Sequence, residues 1–197
     1  MSGRIFSPFN VGRFTILPED HPLPAEETIP LILGKKGAFG SGEHETTVSC
    51  LEFLETLPDL AGTSLMDLGS GTGILAIAAI KLGAGRAVAI DIDPRAAESC
   101  SNNVRLNGLD EQISTVLGEL SAVRGSFDLF IANIYADVHL ALAGEMIRLT
   151  RPGGLLLLSG IPLQDNFEIK HAFTSRGASL LDSRYMEEYV TFLMKNG

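Results

Sequence analysis

Residues 64–91 read SLMDLGSGTGILAIAAIKLGAGRAVAID, and this stretch decides the fold. Its first five residues form a short apolar run bounded by turn residues, which predicts a buried strand. Three glycines then occur at every second position: Gly69, Gly71 and Gly73. Apolar residues recur after them at helical spacing, and residues 86–90 predict a second buried strand with Asp91 at its carboxyl end. A strand, a glycine loop and a helix N-terminus together predict a binding site for an anionic group.

The spacing of these glycines argues against a dinucleotide site. The dinucleotide fingerprint is Gly-x-Gly-x-x-Gly or Ala, and Ile74 occupies the position of its third small residue. The pattern Asp-x-Gly-x-Gly-x-Gly at 67–73 instead resembles motif I of the class I S-adenosylmethionine-dependent methyltransferases. In such a site the methionine carboxylate lies near the helix N-terminus, Asp91 accepts the ribose hydroxyls, and Asp67 binds the ammonium directly or through water. The alternatives are a nicotinamide enzyme and a glycine-rich turn in an ordinary α/β domain, but acids at two strand ends favour the methyl donor.

Composition narrows the class of protein. A length of 197 residues, with 45% apolar and 20% charged residues, suits one globular domain. The formal net charge of −9 argues against direct nucleic-acid binding and suits a basic protein substrate, although many cytosolic proteins are simply acidic. Cys50 and Cys100 lack metal-ligand spacing, so we predict no metal site and two buried, reduced thiols. Without a membrane-spanning run or a signal-peptide core, the sequence predicts a soluble cytoplasmic protein with no membrane partner.

Helices and strands alternate along the chain, which indicates a mostly parallel sheet covered on both faces. Further strands are predicted at 113–117, at 127–132, at 155–159 after a turn at 152–154, and as an antiparallel pair at 178–184 and 188–194. Asp93 and Pro94 suit the N-cap and first position of a helix, so Asp91 is the better ribose ligand. The predicted fold class is therefore α/β, of the Rossmann-like kind.

The N-terminal residues are predicted to form a segment of their own. Residues 11–17 have the pattern of a strand and residues 31–33 that of a short strand, with a proline-rich connector between them. We accordingly divide the chain into a linker-like segment with short strands at 1–34 and a methyltransferase domain at 35–197.

Two loops carry further candidate residues. The loop at 37–47 reads GAFGSGEHETT, precedes the cofactor strand and is placed to fold over the cofactor. Thr46 and Thr47 in it suit the cap of the next helix. His44 is a candidate base, although a lone histidine in a loop is more often incidental. Glu119 ends the third strand, where an adenine-contacting residue commonly lies in this fold.

Asn133 directly follows the fourth strand. In open α/β sheets ligands bind beyond the carboxyl ends of the strands, so Asn133 is placed near both the cofactor and an incoming nucleophile. The alternative is that Asn133 caps a helix that begins near Ala136. His139 and His171 lie on predicted helices without partners at metal spacing, and we expect them to be structural or exposed.

With these pieces placed, the chain resembles the methyltransferases of ribosomal protein L11. The segments that carry the resemblance are AFGSGEHETT (38–47), DLGSGTGILAIAA (67–79), DIDP (91–94), ANI (132–134) and PGGL…LSGI (152–161). The resemblance implies that Thr47, Gly69, Asp91 and Asn133 match positions that contact S-adenosylmethionine. It also implies methyl transfer to protein amines, either lysine side chains or an N-terminal amine, on a seven-stranded sheet whose last strand is antiparallel.

The predicted site therefore combines the motif and the resemblance. The cofactor-binding residues are Thr47, Asp67, Gly69, Gly71, Asp91 and Asn133. Asn133 is also the catalytic residue, because it is placed to orient the amine, and the predicted protein substrate is basic, such as ribosomal protein L11.

Two departures from the family pattern leave the substrate open. Family members usually carry an N-terminal domain that grips the ribosomal protein, whereas about thirty residues precede the catalytic core here, which indicates an excised domain or a stand-alone relative. Residues 43–47 read EHETT where the family tends to have THPTT, and residues 133–135 read NIY where it tends to have NIL. The alternatives are a small-molecule N- or O-methyltransferase and a cofactor-binding subunit that needs a partner for substrate recognition.

Overall fold

Two β-sheets organise the chain in the computed structural model, which describes residues 6–24, 28–34 and 42–197. The smaller, N-terminal sheet contains β1 (Phe9–Val11), β2 (Phe14–Pro18) and β3 (Ile29–Leu33). β1 pairs antiparallel with β2, and β2 pairs parallel with β3. The single strand predicted at 11–17 is wrong, because Gly12 adopts a φ of 53° and turns the chain between β1 and β2.

The main sheet is the predicted one. Within the described residues its strands are β4 (Ser64–Leu68), β5 (Arg86–Asp91), β6 (Ile113–Leu117), β7 (Phe127–Asn133), β8 (Thr150–Pro162), β9 (Ser179–Tyr185) and β10 (Tyr189–Lys195). Their order is β6-β5-β4-β7-β8-β10-β9. Neighbours from β6 to β8 are parallel, and β10 is antiparallel to both β8 and β9. The last strand of the chain therefore runs against the other six, which confirms the predicted topology.

Helices cover both faces of this sheet. In the described ranges they are α1 (Glu45–Thr56), α2 (Ile74–Lys81), α3 (Pro94–Leu106), α4 (Ala136–Leu149) and α5 (Asn166–Thr174), with short 3-10 turns at Leu120–Ala122 and Leu163–Asp165. Alternate residues of β4 and β7 divide between two apolar cores, because successive side chains of a strand point to opposite faces. One core contains α1, α2 and α3, and the other contains α4 and α5, so the predicted α/β layering is confirmed.

The N-terminal strands form a further layer over α2. Every residue of α2 from Ile74 to Ile80 is buried, and a helix that is apolar all round needs cover on every side. The main sheet covers one side, while α1, α3 and β3 contact the others. Lys81, the last residue of α2, donates from Nζ to the carbonyl oxygen of Pro30 at 2.5 Å. The small sheet therefore closes the core that holds the glycine loop in place.

Two element ends differ from the prediction. His44 is the N-cap of α1, since its Nδ1 accepts from the Thr46 N–H at 3.4 Å, so Thr46 and Thr47 lie inside the first turn. β8 begins at Thr150, so residues 152–154 belong to a strand and not to a turn. The ladder between β7 and β8 shifts register between Phe127 and Leu129, which accommodates the Pro-Gly-Gly sequence within β8.

Other local predictions are confirmed. Asp93 caps α3, because its Oδ1 accepts from the Arg95 N–H at 2.9 Å, and Pro94 is the first residue of that helix. Cys50 and Cys100 are free and fully buried. Burial raises the pKa of each thiol to about 12, so neither is a ready nucleophile at neutral pH.

Candidate active site at the carboxyl edge of the sheet

A cleft opens where the carboxyl ends of β4 and β7 meet the first turn of α1. It encloses about 280 Å³ of empty space, part of it open to solvent. The lining residues are Thr47, Asp67, Gly69, Ser70, Gly71, Ile74, Leu75 and Asn133. Five of the six predicted site residues therefore share one cleft, and the sixth, Asp91, is bonded to its loop. Of the candidate loop at 37–47, residues 37–41 lie outside the described residues.

The glycine loop leaves no room for side chains at Gly69 and Gly73. Gly69 and Gly73 have positive φ values of 68° and 77°, a conformation that favours glycine. A Cβ atom at Gly69 would lie 2.4 Å from the Cγ2 of Ile134, and one at Gly73 would lie 2.5 Å from the Cys100 Sγ. The loop is tied to β5, because the N–H groups of Gly69 and Ser70 donate to the Ile90 oxygen at 2.9 and 3.1 Å. Backbone is thus part of the lining of the cleft at Gly69 and Gly71.

Asp91 is held against this loop by backbone donors. Its Oδ2 accepts from the Gly71 N–H at 3.0 Å, and its Oδ1 accepts from the Asp93 N–H at 3.0 Å. A carboxylate oxygen accepts more than one hydrogen bond, so both oxygens retain capacity for the hydroxyls of a ligand. The side chain is half-buried, which leaves that capacity accessible.

Asp67 is the buried carboxyl of the cleft, with 2% of its surface exposed. Its Oδ2 accepts from the Ala76 N–H at 3.2 Å, so it ties the end of β4 to the first turn of α2. Burial raises the pKa of Asp67 to about 7; the Ala76 hydrogen bond opposes this shift, and the nearby Asp91 charge adds to it. A cation that reaches this carboxyl would favour its ionised form.

Asn133 is the last residue of β7 and faces α1 across the cleft. Its Nδ2 donates to the Thr47 Oγ1 at 3.4 Å, a long bond that links the two predicted contact residues. The N-cap of α4 is Tyr135, so the alternative that Asn133 caps this helix is wrong. Gly160 of β8 lies directly beside the Asn133 side chain, since a Cβ atom at Gly160 would lie 3.1 Å from the Asn133 Oδ1.

A buried network lies behind Asn133, and the sequence did not reveal it. Ser159, the partner of Asn133 across β7 and β8, accepts at its carbonyl oxygen from the Ile134 N–H at 3.2 Å. The same oxygen lies 2.9 Å from the His139 Nε2, which is placed to donate to it. Burial lowers the pKa of His139 to about 4, so the ring is neutral at pH 7. The prediction that His139 is structural is confirmed.

His44 and Glu119 do not line the cleft. The His44 Nδ1 lies 2.8 Å from the Thr46 Oγ1, and its ring meets Tyr189 edge-on at 5.3 Å. These contacts give His44 a structural role at the start of α1 and nothing that supports the candidate base. Glu119 is exposed beyond β6, where the Ser121 hydroxyl donates to it at 3.4 Å.

Two apolar residues beside Asp91 were missed. Ile92 is 74% exposed and Leu117 is 56% exposed, although both are large aliphatic side chains. They lie at the ends of the neighbouring strands β5 and β6, since Leu117 pairs with Asp91 and Ile92 is the next residue after Asp91. Aliphatic surface at this edge suits a flat aromatic group such as adenine. An apolar residue directly after a strand-ending acid was the signal available in the sequence.

The residues of the cleft fit S-adenosylmethionine by their chemistry. The two carboxylates differ in environment: Asp67 is buried, as suits a single cationic group, and Asp91 is accessible, as suits neutral hydroxyls. The glycines at 69 and 71, which carry no side chains, allow a ligand to approach the backbone closely. Among the described residues, no group of three or more His, Cys, Asp or Glu side chains is arranged to hold a metal ion.

A comparison with protein families decides the relationship. The family model of the ribosomal protein L11 methyltransferases (PrmA) matches residues 2–197. The chain belongs to this family. The resemblance inferred from the sequence is thereby confirmed, and membership of a methyltransferase family confirms the predicted cofactor, S-adenosylmethionine.

Individual relatives agree with this family. The ribosomal protein L11 methyltransferase of Pelobacter propionicus is 40% identical over 196 residues, which cover 96% of this chain and 63% of the relative. That of Pseudomonas paraeruginosa is 42% identical over 171 residues, covering 86% of this chain and 58% of the relative. The chain therefore spans about three fifths of the length of these relatives.

Solved structures show the same architecture. A ribosomal protein L11 methylase from Lactobacillus delbrueckii subsp. bulgaricus superposes with a TM-score of 0.87 at 27% identity, covering 97% of this chain and 99% of that one. A magnesium protoporphyrin IX methyltransferase from Synechocystis has a TM-score of 0.64 at 16% identity, covering 76% of this chain and 77% of that one, and shares the fold.

The described part of the chain contains no helix with the length and apolar character that a membrane span requires.

Proposed function

We propose that the chain transfers methyl groups from S-adenosylmethionine to amines of ribosomal protein L11, on lysine side chains or the N-terminal amine. The observation that carries this proposal is the convergence of Thr47, Asp67, Asn133 and the glycine loop in one cleft of a chain that belongs to the L11 methyltransferase family. The names of the relatives supply the substrate, and the chemistry of the cleft supplies the roles of the residues.

We assign the cofactor contacts by charge and exposure. Asp91 accepts the ribose hydroxyls, because its two oxygens are accessible and already oriented by backbone N–H groups. Asp67 binds the ammonium group, since a buried carboxyl gains most from a cationic partner. Gly69 and Gly71 provide backbone surface for the methionine arm, and Thr47 closes the cleft from α1.

The chain's own task in the reaction is to position the nucleophile. S-adenosylmethionine supplies a methyl group that is already activated for transfer by its sulfonium. We assign Asn133 as the catalytic residue, because its amide oxygen is able to accept an N–H of a neutral amine and so orient the lone pair. Moving an amine out of water lowers its pKa, so the chain needs no strong base at this point.

The N-terminal strands raise the question of domain boundaries. We propose a methyltransferase domain at 35–197 and a linker-like segment at 1–34 that contains the short strands and packs against the domain. Phe14, Ile16 and Leu31 from this segment are fully buried in the same apolar core as α2. Removal of the segment would therefore expose part of the core that supports the glycine loop.

The partner and location follow from the same proposal. A substrate carrying positive charge suits a chain with a formal net charge of −9, and the same charge disfavours direct contact with nucleic acid. We place the reaction in the cytoplasm, with no membrane partner.

Methyl transfer to purified ribosomal protein L11 tests the proposal. The chain is incubated with methyl-labelled S-adenosylmethionine and L11, and label is located by fragmentation mass spectrometry. We expect label on amine nitrogens of L11. A parallel incubation contains a whole-cell extract in place of purified L11. Label on another protein of the extract, together with no label on purified L11, would contradict the assigned substrate. Label in L11 only after a further protein is added would show that the chain binds the cofactor and depends on a partner for recognition.

A further inference from the structure

A second groove runs along the opposite side of α1 from the cofactor cleft. It encloses about 520 Å³ of empty space, part of it open to solvent, between α1 and the chain around the end of β9. Its α1 residues recur at helical spacing, from Glu45 to Glu52, and form a face that points away from Thr47. Arg184 and Met186 form the facing wall.

The charge of this groove is negative. Among the described residues, its charged lining consists of Glu43, Glu45, Glu52 and Arg184. Arg184 is already engaged, since its guanidinium pairs with Glu52 and its Cζ lies 4.8 Å from the centre of the Phe53 ring. An entering cation therefore meets the Glu45 carboxylate, which is not the partner of Arg184.

Glu45 is fixed in position for such a cation. Its Oε2 accepts from the Glu187 N–H and its Oε1 from the Glu188 N–H, each at 3.3 Å. Both donors belong to the turn between β9 and β10, so the carboxylate is anchored between α1 and the hairpin. The exposed side chains of Glu187 and Glu188 add negative charge at the rim.

Ser49 provides an independent sign of a ligand. It lines the groove, is 1% exposed, and its hydroxyl has no hydrogen-bond partner in the described part of the chain. A buried hydroxyl without a hydrogen-bond partner is unfavourable, and most buried hydroxyls in native structures have such a partner. A hydrogen-bond donor that enters the groove would give the Ser49 hydroxyl a partner.

The walls suit an aliphatic stem. Val48 on α1 and Met186 opposite it both line the groove and carry no charge. A lysine side chain combines a flexible apolar stem with a compact ammonium group that donates three hydrogen bonds. The stem matches these walls, and the ammonium matches the Ser49 hydroxyl together with the glutamates.

We propose that this groove binds a lysine side chain of the protein substrate at a residue other than the one that is methylated. Its ammonium donates to Ser49 and to the Glu45 carboxylate, and its methylene groups pack on Val48 and Met186. The inference rests on the proposed function, because it describes how the substrate protein is held on α1 while its reactive amine lies in the cleft on the other side.

An NMR titration without cofactor tests the groove separately from methyl transfer. The ¹⁵N-labelled full chain is titrated with a capped Gly-Ala-Lys-Ala-Gly peptide and, as the ligand control, with its Nε-acetylated form. We expect saturable shifts at the amides of Val48, Ser49 and Met186 with the lysine peptide alone. Ser49→Ala should raise its Kd by about tenfold, the effect of one hydrogen bond to a charged group.

Matched variants separate docking from a structural role. Ser49→Ala removes a hydroxyl without a partner, so its thermal midpoint should stay unchanged or rise while the Kd increases. Asp110→Asn with Glu111→Gln changes the net charge at two exposed residues before β6 and should leave the Kd unchanged. Absence of a saturable shift in the wild type, equal binding of the acetylated peptide, or equal affinity of Ser49→Ala would each overturn the proposal. A chain that binds the peptide but fails to methylate L11 would contradict the proposed function alone.

Discussion

At the scale of single residues, Asp67 is a buried carboxyl whose ionisation is energetically unfavourable in the ligand-free cleft. Its carboxyl is nearly inaccessible to water and accepts a hydrogen bond from the Ala76 N–H. The same burial that raises its pKa to about 7 makes its ionised form costly in the ligand-free chain. The binding site is therefore less stable empty than filled.

This charge gives a prediction for stability against pH. Because the folded-state pKa of Asp67 is raised above its unfolded value, its contribution to stability is present at low pH and is lost as pH rises through about 7. Asp67→Asn cannot ionise, so its stability relative to the wild type should rise by about 1 kcal/mol between pH 6 and pH 8.5. Urea unfolding at both pH values measures this difference. Asp110→Asn, at an exposed carboxyl, is the control and should show no such rise. A difference for Asp67→Asn that does not change with pH would contradict the buried charge.

Asn133 is expected to act on turnover more than on folding. Asn133→Ala removes only a long hydrogen bond to Thr47, so the thermal midpoint should fall by only a few degrees. Loss of the group that orients the amine should lower the single-turnover rate of methyl transfer by about a hundredfold. Thr47→Ser keeps the hydroxyl and serves as the control. A rate equal to that of the wild type would remove Asn133 from the mechanism.

At the scale of elements, the site depends on how closely β7 and β8 end beside one another. Gly160 of β8 has a φ of 75°, and a Cβ atom there would lie 2.5 Å from the Ile134 oxygen and 3.1 Å from the Asn133 Oδ1. Since the nearest atom belongs to the backbone, a side chain at Gly160 would force the two strand ends apart. The position of Asn133 is thus set by a neighbouring strand.

A matched pair of glycine substitutions tests this contact. Gly62 has a φ of 73°, nearly that of Gly160, but a Cβ atom there meets nothing within 4 Å. Gly62→Ala should therefore report the cost of the backbone conformation alone. Gly160→Ala should be less stable than Gly62→Ala by about 2 kcal/mol in urea unfolding, and it alone should lower methyl transfer. Equal losses for the two variants would contradict the close packing of the strand ends.

The element boundaries also show where sequence patterns stop being informative. The pattern predicted β4 and β6 to the residue and β5 to within one residue, because each is a short run followed directly by glycine or by an acidic residue. It missed the start of β8, since residues 152–154 are typical of a turn and become strand only through pairing with the end of the chain. The Gly153 N–H donates to the Asn196 oxygen at 2.8 Å, a contact over 43 residues that no local pattern contains.

At the scale of the whole molecule, alternation of strands and helices was enough to predict the sheet and its two covered faces. Apart from Thr47, which the family resemblance supplied, the predicted site came from residues at or just after strand ends, and in an open parallel sheet the carboxyl ends of adjacent strands meet at one edge. The network behind Asn133 and the Ser49 hydroxyl could not be predicted in this way. A hydrogen bond that is missing, or one accepted by a backbone oxygen, depends on packing between distant segments.

The measurement that tests the central claim most directly is a calorimetric titration of S-adenosylmethionine into the wild type and Asp91→Asn. An Asn side chain keeps an oxygen for the Gly71 N–H but loses the charge and one of the two carboxylate oxygens. We predict one site per wild-type chain and a Kd raised about tenfold or more in the variant. An absence of binding to the wild type, or equal affinity in the variant, would contradict the assignment of this cleft as the methyl-donor site.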